Sequence, residues 1–194
     1  MKFTKIPTDT FQKLAINAGI LASAFTPGTG TVLDADILGA TSGGLTVTCV
    51  PEFQDMGEDI DNCPKNTKEL KKVKDYTVTV SGTMVTVSPA VAKRLMPGAA
   101  VASDKITPSH ALSTASGGDF GDLWVIGDYS DKNGANNGGF IACHILNALS
   151  TGGFSYVSSD EEKAKFAFEF TGHYSVGAPE TVPFELYVHA GTAE

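Results

Sequence analysis

The feature that most restricts the fold is a strict alternation of apolar and polar side chains between residues 163 and 170. The apolar positions are Ala164, Phe166, Phe168 and Phe170, and the charged positions between them are Lys163, Lys165 and Glu169. Successive side chains of a β-strand point to opposite faces, so this pattern predicts a strand with one buried face. No other register buries the phenylalanines without burying a charge. We therefore expect Phe166, Phe168 and Phe170 to form the core strand.

Weaker forms of the same pattern predict further strands along the chain. They cover residues 45–50, 76–87, 123–126, 140–146, 154–157 and 182–188. In the second of these, the apolar positions change phase at Gly82, as they do at a β-bulge. The 21 glycines and the hydrophobic content of 42% are typical of a globular chain with many turns between strands. The total is roughly seven or eight strands.

The most complete helix signal begins at Ser88. Ser88 is a favourable N-cap, Pro89 suits the first helical turn, and Pro97 followed by glycine ends the pattern. Residues 11–25 also carry apolar side chains at helical spacing, which favours a second helix, but Gly19 in the middle leaves an extended arm as the alternative.

Together these elements predict a mainly β protein. We expect an antiparallel β-sandwich or barrel with a flanking α-helix, built as a single domain over residues 1–194. Residues 99–119 are small, polar and without periodicity, so no element is predicted there.

Residues 52–75 form a long polar segment, predicted to be a loop, in which an acidic half precedes a basic half. The charged residues that we single out as candidates for assembly contacts are Asp55, Glu58, Asp59, Asp61, Lys68, Lys71, Lys72 and Lys74. Loops of this length in compact domains are uncommon and usually serve a function. The acidic half of one copy can meet the basic half of the next, so we expect contacts between copies here.

Templates for catalysis or metal binding are missing from the sequence. There is no phosphate-binding loop, zinc-binding His-Glu-x-x-His or nucleophile elbow. Asp59 and Asp61 begin like a calcium loop, but Pro64 and Leu70 stand where that loop needs a glycine and a carboxylate. We expect no enzymatic activity, no cofactor and no metal.

A second acidic segment, residues 128–139, contains the oxygen-bearing side chains of Asp131, Asn133 and Asn136. These groups could bind a hard cation. The same composition suits the tip of a hairpin, which is the reading that we favour.

The remaining reactive side chains have simple structural explanations. We expect His144, His173 and His189 to be surface or half-buried strand residues, not ligands. Trp124, in an apolar run, is predicted to be a core aromatic residue. The three cysteines are an odd number at wide spacing, which indicates free thiols, not a disulfide framework.

The charge balance and the lack of long apolar runs narrow the choice of partners. The net charge of −8 argues against a general nucleic-acid binder, which would carry a basic surface. No apolar run reaches the roughly 18–20 residues of a membrane span. The N-terminus lacks the apolar region of a secretory signal, so we expect folding in a cytoplasm.

Several segments carry a family likeness. Residues 119–131 read Asp-Phe-Gly-Asp-Leu-Trp-Val-Ile-Gly-Asp-Tyr-Ser-Asp. This run and the runs at residues 137–141, 149–154 and 166–174 resemble the C-terminal half of the major tail proteins of long-tailed, non-contractile bacteriophages. The run Gly-Glu-Asp-Ile-Asp-Asn-Cys-Pro at residues 57–64 is similar to their middle region. The likeness extends over most of the chain and concerns architecture, not a catalytic signature.

This resemblance implies a tail tube protein that assembles into rings, expected to be hexameric, which stack into a hollow tube for DNA ejection. The implied partners are other copies of the chain and the tape measure, tail terminator and distal tail proteins. The genome is expected to pass through the lumen without specific binding, and an acidic interior would repel its phosphates. The implied location is the virion tail, assembled in the host bacterial cytoplasm. Because the sequence ends soon after residue 188, we expect no C-terminal immunoglobulin-like appendage.

Two alternatives stay open. Another ring-forming tail component, such as a tail terminator or distal tail protein, would form one ring and stop. A β-sandwich carbohydrate-binding module would need exposed aromatic residues on one face. The likeness also does not separate a phage tail from a phage-tail-like particle.

Overall fold

The computed structural model describes residues 5–115, 117–129 and 138–191. The strands and the α-helix are β1 (Ala15–Ala22), β2 (Thr41–Asp55), β3 (Lys71–Met84), α1 (Pro89–Leu95), β4 (Ala100–Ala102), β5 (Lys105–Thr107), β6 (Gly121–Tyr129), β7 (Gly139–Ser150), β8 (Phe166–Thr171) and β9 (Phe184–His189). Short 3-10 turns lie at Thr10–Lys13, Asp34–Asp36 and Lys68–Leu70.

All strand pairs are antiparallel, in the order β1-β6-β7-β8-β3-β2, with β9 also pairing with β7. The long strand β7 takes part in two layers. Its residues Phe140–Ile145 pair with β9, and Leu149 and Ser150 pair with β8. Between these parts the pairing with β6 shifts register, and Asn147 adopts a φ of 48°. The protein is thus mainly β with one flanking helix, and this confirms the predicted fold class.

The main core lies on the face of β8 that carries the phenylalanines. Phe166, Phe168 and Phe170 are 6%, 4% and 1% exposed, while the residues between them are exposed. They belong to one cluster with side chains from both layers and from α1, including Val78, Val80, Leu123, Ile145 and Leu95.

Gly82 of β3 lies directly opposite Phe168. A Cβ atom at this glycine would be 2.8 Å from Cδ2 of Leu45 and 3.0 Å from Cζ of Phe168. The glycine therefore permits close packing, and β3 runs through it without a break. The pairing of β3 with β2 does change register just beyond Gly82, as predicted, but the extra residues lie in β2, between Thr41 and Leu45, where Gly43 has a φ of 81°. A second shift in this pairing lies between Glu52 and Phe53.

A second, smaller cluster covers the opposite face of the β1-β6-β7 layer. It consists of Ala22, Trp124 and Ala142, packed against Phe25 and Val32 from the segment between β1 and β2. Alternation along the strands explains the division, because the neighbouring residues of Ala22 and Trp124 contribute to the main core.

Helix α1 forms as the sequence predicts. The Oγ atom of Ser88 accepts a hydrogen bond from the Val91 N–H at 3.3 Å, and the helix ends before Pro97. Its buried side chains include Leu95, and Nη2 of Arg94 donates to the Asp122 carbonyl oxygen at 2.7 Å. These contacts fix the helix against β6.

The helix favoured for residues 11–25 is wrong, and the extended alternative is correct for most of that segment. Residues Ala15–Ala22 form β1, which pairs with β6, for example Leu21 with Val125. Gly19 has a φ of 71°, and a Cβ atom there would be 2.8 Å from the Ile126 carbonyl oxygen. Pairing with β6 therefore outweighs the helical spacing.

Three other boundaries differ from expectation. The predicted loop at residues 52–75 is reduced to residues 56–70, because β2 and β3 extend into it. The unpatterned segment after α1 contains the small β4-β5 hairpin. Instead of the strand predicted over 154–157, the structure contains one isolated bridge, between Val157 and Lys165.

Candidate assembly surface

Strands β2 and β3 continue beyond the rest of their sheet as a two-stranded projection, residues 50–77, here called the hairpin arm. Strand β8 pairs with β3 only from Thr79 to Met84. Next to this boundary, the Tyr76 N–H donates to the hydroxyl oxygen of Tyr174 at 2.9 Å. The Tyr174 side chain thus takes the place of a strand partner for β3 at this point. Within the described residues, the arm beyond this point has no strand partner on either edge.

The hairpin arm exposes apolar side chains to solvent. Val50, Phe53, Met56, Ile60 and Val73 are 54%, 56%, 48%, 52% and 47% exposed. Phe53 and Val73 are direct cross-strand neighbours. Alternation puts Phe53 on the same face as Cys49, which packs against the main core. The apolar inner face of the sheet therefore continues out of the body and into water.

The tip of the arm, residues 56–70, is ordered by its own contacts. The Asp55 carboxylate accepts hydrogen bonds from the Asn66 N–H at 2.9 Å and the Gly57 N–H at 3.0 Å. These two donors hold the pKa of Asp55 below its usual value. A Cβ atom at Gly57 would be 2.9 Å from Leu70 Cδ1 and 3.0 Å from Cys63 Sγ, so the tip is also closely packed.

The structure separates the eight charged assembly candidates into two groups. Asp55, Lys71 and Lys74 are engaged inside the arm. Nζ of Lys71 donates to Oδ1 of Asn66 at 3.0 Å and lies 5.4 Å from the Phe53 ring centroid. Nζ of Lys74 is 3.6 Å from Asp75 and 3.9 Å from Glu52.

The other candidates point into solvent. Glu58, Asp59, Asp61 and Lys72 are exposed and form no ion pair with any described residue, and Lys68 is 3.8 Å from its exposed neighbour Glu69. The tip therefore carries an unpaired acidic cluster. The basic side chains lie along the strands and on the returning part of the tip.

Strand β9 provides a second exposed edge. It pairs with β7 alone among the described strands. Leu186 and Val188 are about half exposed, whereas Phe184 of the same face packs against the main core. The apolar face of β9 is thus partly buried at Phe184 and about half exposed at Leu186 and Val188.

His144 lies on a strand, as the sequence predicts, but it is more buried than the surface or half-buried position expected for it. It is buried, its ring stacks on Trp124 with centroids 3.9 Å apart, and its two nitrogens face carboxylates. Nδ1 is 3.0 Å from Glu185 Oε2, and Nε2 is 3.3 Å from Asp122 Oδ2. The strand registers that bring Asp122 and Glu185 to the same histidine cannot be read from local pattern.

The described ranges contain no group of three or more histidine, cysteine or acidic side chains arranged to hold a metal ion. Asp131, Asn133 and Asn136, considered for a cation, lie outside the described residues. Cys49, Cys63 and Cys143 are free thiols, and burial raises the pKa of Cys49 and Cys143. In the described part of the chain, no helix is long and apolar enough to cross a membrane.

Comparison with known proteins gives a distant likeness. No family model and no curated protein matches the chain. Two similar solved structures are the virion of a native gene transfer agent particle and the tail of an empty gene transfer agent particle with C6 symmetry. Each matching chain is 9% identical, with 89% of this chain and 96% of the other covered, at a TM-score of 0.43. Likeness at this level assigns neither a family nor a function.

Proposed function

We propose that this chain is a non-enzymatic structural subunit that assembles into stacked rings, with six copies in each ring. The rings form the tail tube of a long-tailed bacteriophage or a phage-tail-like particle, through which DNA is ejected. The observation that carries the proposal is the hairpin arm, an ordered projection with apolar side chains in solvent. The sequence likeness to major tail proteins supplies the class of particle.

The exposed apolar face of the arm favours burial against another copy. Full burial of an exposed phenylalanine is worth about 1.5–3 kcal/mol, and Phe53, which is 56% exposed, has roughly half of that still to gain. Val73, directly opposite, adds to the same surface. In a closed ring or a stack, every copy both offers and receives this contact, so a modest energy per copy is repeated throughout the assembly.

Two exposed features of the chain support two kinds of contact. The arm, with its acidic tip, is assigned to contacts between rings. The edge of β9 that has no partner among the described strands is assigned to contacts within a ring, where a strand of the next copy extends the sheet. Pairing of this edge would also prevent uncontrolled edge-to-edge aggregation.

The proposed partners beyond the chain itself are the tape measure, tail terminator and distal tail proteins. Genomic DNA passes through the lumen without specific binding. The net charge of −8 supports this part of the proposal, because an acidic wall repels phosphate. Assembly takes place in the host cytoplasm, and the product is part of the virion.

Electron microscopy of the purified chain, with light scattering across a concentration series, tests the proposal. The expected result is long tubes of uniform diameter. Discrete rings that never stack indicate a terminator or distal tail protein instead, and a monomer at every concentration refutes assembly.

A matched pair of variants locates the contact. Phe53→Ser combined with Val73→Ser is expected to stay folded and to lose tubes. The control is Val176→Ser, at a fully exposed valine outside the arm, which should assemble normally. If both variants gave tubes in the same yield, the arm would not be part of the interface between copies.

A further inference from the structure

A row of side chains crosses three strands on the face of the smaller cluster. Trp124 of β6, His144 of β7 and Glu185 of β9 are direct neighbours in register. The imidazole of His144 lies nearly parallel to the Trp124 indole, with an angle of 7° between the planes. The row joins the edge strand β9 to the interior of its layer.

Both ring nitrogens of His144 lie within hydrogen-bond distance of a carboxylate oxygen, at 3.0 Å for Glu185 and 3.3 Å for Asp122. An ionised carboxylate only accepts hydrogen bonds, and a neutral imidazole carries a single N–H donor. Both contacts are therefore hydrogen bonds at the same time only when the ring is doubly protonated. Stacking on an indole also favours a cation.

The two carboxylates are themselves held in place. Oδ1 of Asp122 accepts the Asn147 N–H at 3.0 Å, and Oε2 of Glu185 accepts the Tyr187 hydroxyl at 2.7 Å. Hydrogen bonds from His144 and then Tyr187 hold the pKa of Glu185 below its usual value. Arg94 of α1 donates to the Asp122 carbonyl oxygen, and its guanidinium is a positive charge near the Asp122 carboxylate.

We propose that His144 is a pH-dependent clamp that ties the edge strand β9 to β6 across β7. In the doubly protonated form, the ring donates one hydrogen bond to each carboxylate. Loss of one ring proton directs a nitrogen lone pair at one of the two carboxylates and removes the positive charge between them. That one contact then becomes repulsive, the tie between β9 and β6 is broken on one side, and β9 separates more readily from β7.

Among the described residues, the titratable and charged groups near the ring are Asp122 on β6, Glu185 and Tyr187 on β9, and Arg94 on α1. The segment that covers Trp124 contributes the apolar Phe25 and Val32. The clamp is tested by measuring how readily β9 opens in the unassembled chain. The result therefore does not depend on whether the proposed function is correct.

Amide hydrogen exchange of the full chain, corrected for intrinsic rates, tests the clamp over a series from about pH 5 to 8, the range in which a histidine side chain ordinarily changes charge. The protection factors of β9 are expected to fall about tenfold with rising pH, the minimum expected for one lost charge-assisted hydrogen bond. Amides of Val78 and Val80 in β3, remote from this row, serve as the internal reference and should not change.

The variant His144→Gln should abolish the pH step, while His110→Gln, at an exposed loop histidine, should retain it. Should His144→Gln fail to fold, Glu185→Gln provides the second test, because Glu185 is exposed and its neutralisation should shrink the step. Protection of β9 that does not change with pH in the native chain overturns the clamp. So does a full step in His144→Gln or in Glu185→Gln.

Discussion

Replacing Phe168 with alanine probes the main core where β8 packs closely against β3. The side chain is 4% exposed, and its ring lies 5.8 Å from that of Phe170. Truncation of a buried phenylalanine costs about 3–5 kcal/mol, and more when the cavity cannot collapse. Gly82 lies directly opposite and has no side chain to fill the space. We therefore expect the upper half of the range, about 4–5 kcal/mol.

That loss is a large share of the roughly 5–15 kcal/mol that stabilises an ordinary domain. It should lower the melting temperature of the unassembled protein by about 8–20 °C. Circular dichroism melts and urea unfolding measure the change. The matched control is Lys165→Ala, immediately before β8, a half-exposed side chain 3.5 Å from Glu162, with an expected change under about 0.5 kcal/mol. A Phe168→Ala protein that melts like the native chain but cannot assemble would mean that this face meets a neighbouring subunit.

Three further predictions concern the arm and the carboxylates. Replacing residues 57–69 with a tight turn should leave the melting temperature within about 4 °C of native, because the tip packs on itself, while microscopy shows no long tubes; normal tubes would contradict this. Reversing Glu58, Asp59 and Asp61 to lysine should weaken stacking and alter its salt dependence, measured by sedimentation, since each exposed pair is worth only about 0.2–1 kcal/mol but recurs in every copy. Reversing Lys71, Lys72 and Lys74 is the less specific test, because two of them bind within the arm. The Ser113 N–H holds the pKa of Asp119 low, and the pKa values of Asp55 and Glu185 are also lowered, so the stabilisation from these carboxylates should be complete above about pH 5 and lost as the pH falls through the lowered pKa values; a flat acid profile, or one unchanged in Asp119→Asn, would contradict this.

The local sequence pattern was sufficient to predict an element where one of its faces is buried and the other is exposed to solvent. Strand β8 and helix α1 follow directly from period-two alternation and from the Ser88 cap. It failed for β1, where Gly19 and the pairing with β6 decide the conformation in spite of helical spacing. Such a conflict is resolved by tertiary contacts that a short window of sequence does not contain.

The hairpin arm and the contacts of His144 also depend on tertiary structure that the local sequence does not contain. The strands of the arm were assigned to a loop because a projection without a core beneath it needs no strict alternation. The charges of the segment were recognised, but which of them are engaged internally depends on the fold of the tip around Asp55. The contacts of His144 depend on register across three strands, which the spacing of Asp122 and Glu185 in the sequence does not reveal.

The shared strand β7 has a mechanical consequence. Its first part is bonded to β9 and its last residues to β8, so one uninterrupted backbone passes from one layer of the sandwich to the other. The corner is fixed on both sides, since the Asn147 N–H binds Asp122 and its Nδ2 donates to the His173 carbonyl oxygen at 3.1 Å. A load applied at the β9 edge therefore passes through hydrogen bonds into β7, along the covalent backbone of β7, and through hydrogen bonds again into β8. Sliding of the two layers would have to deform this corner or break the strand pairing on one side of it.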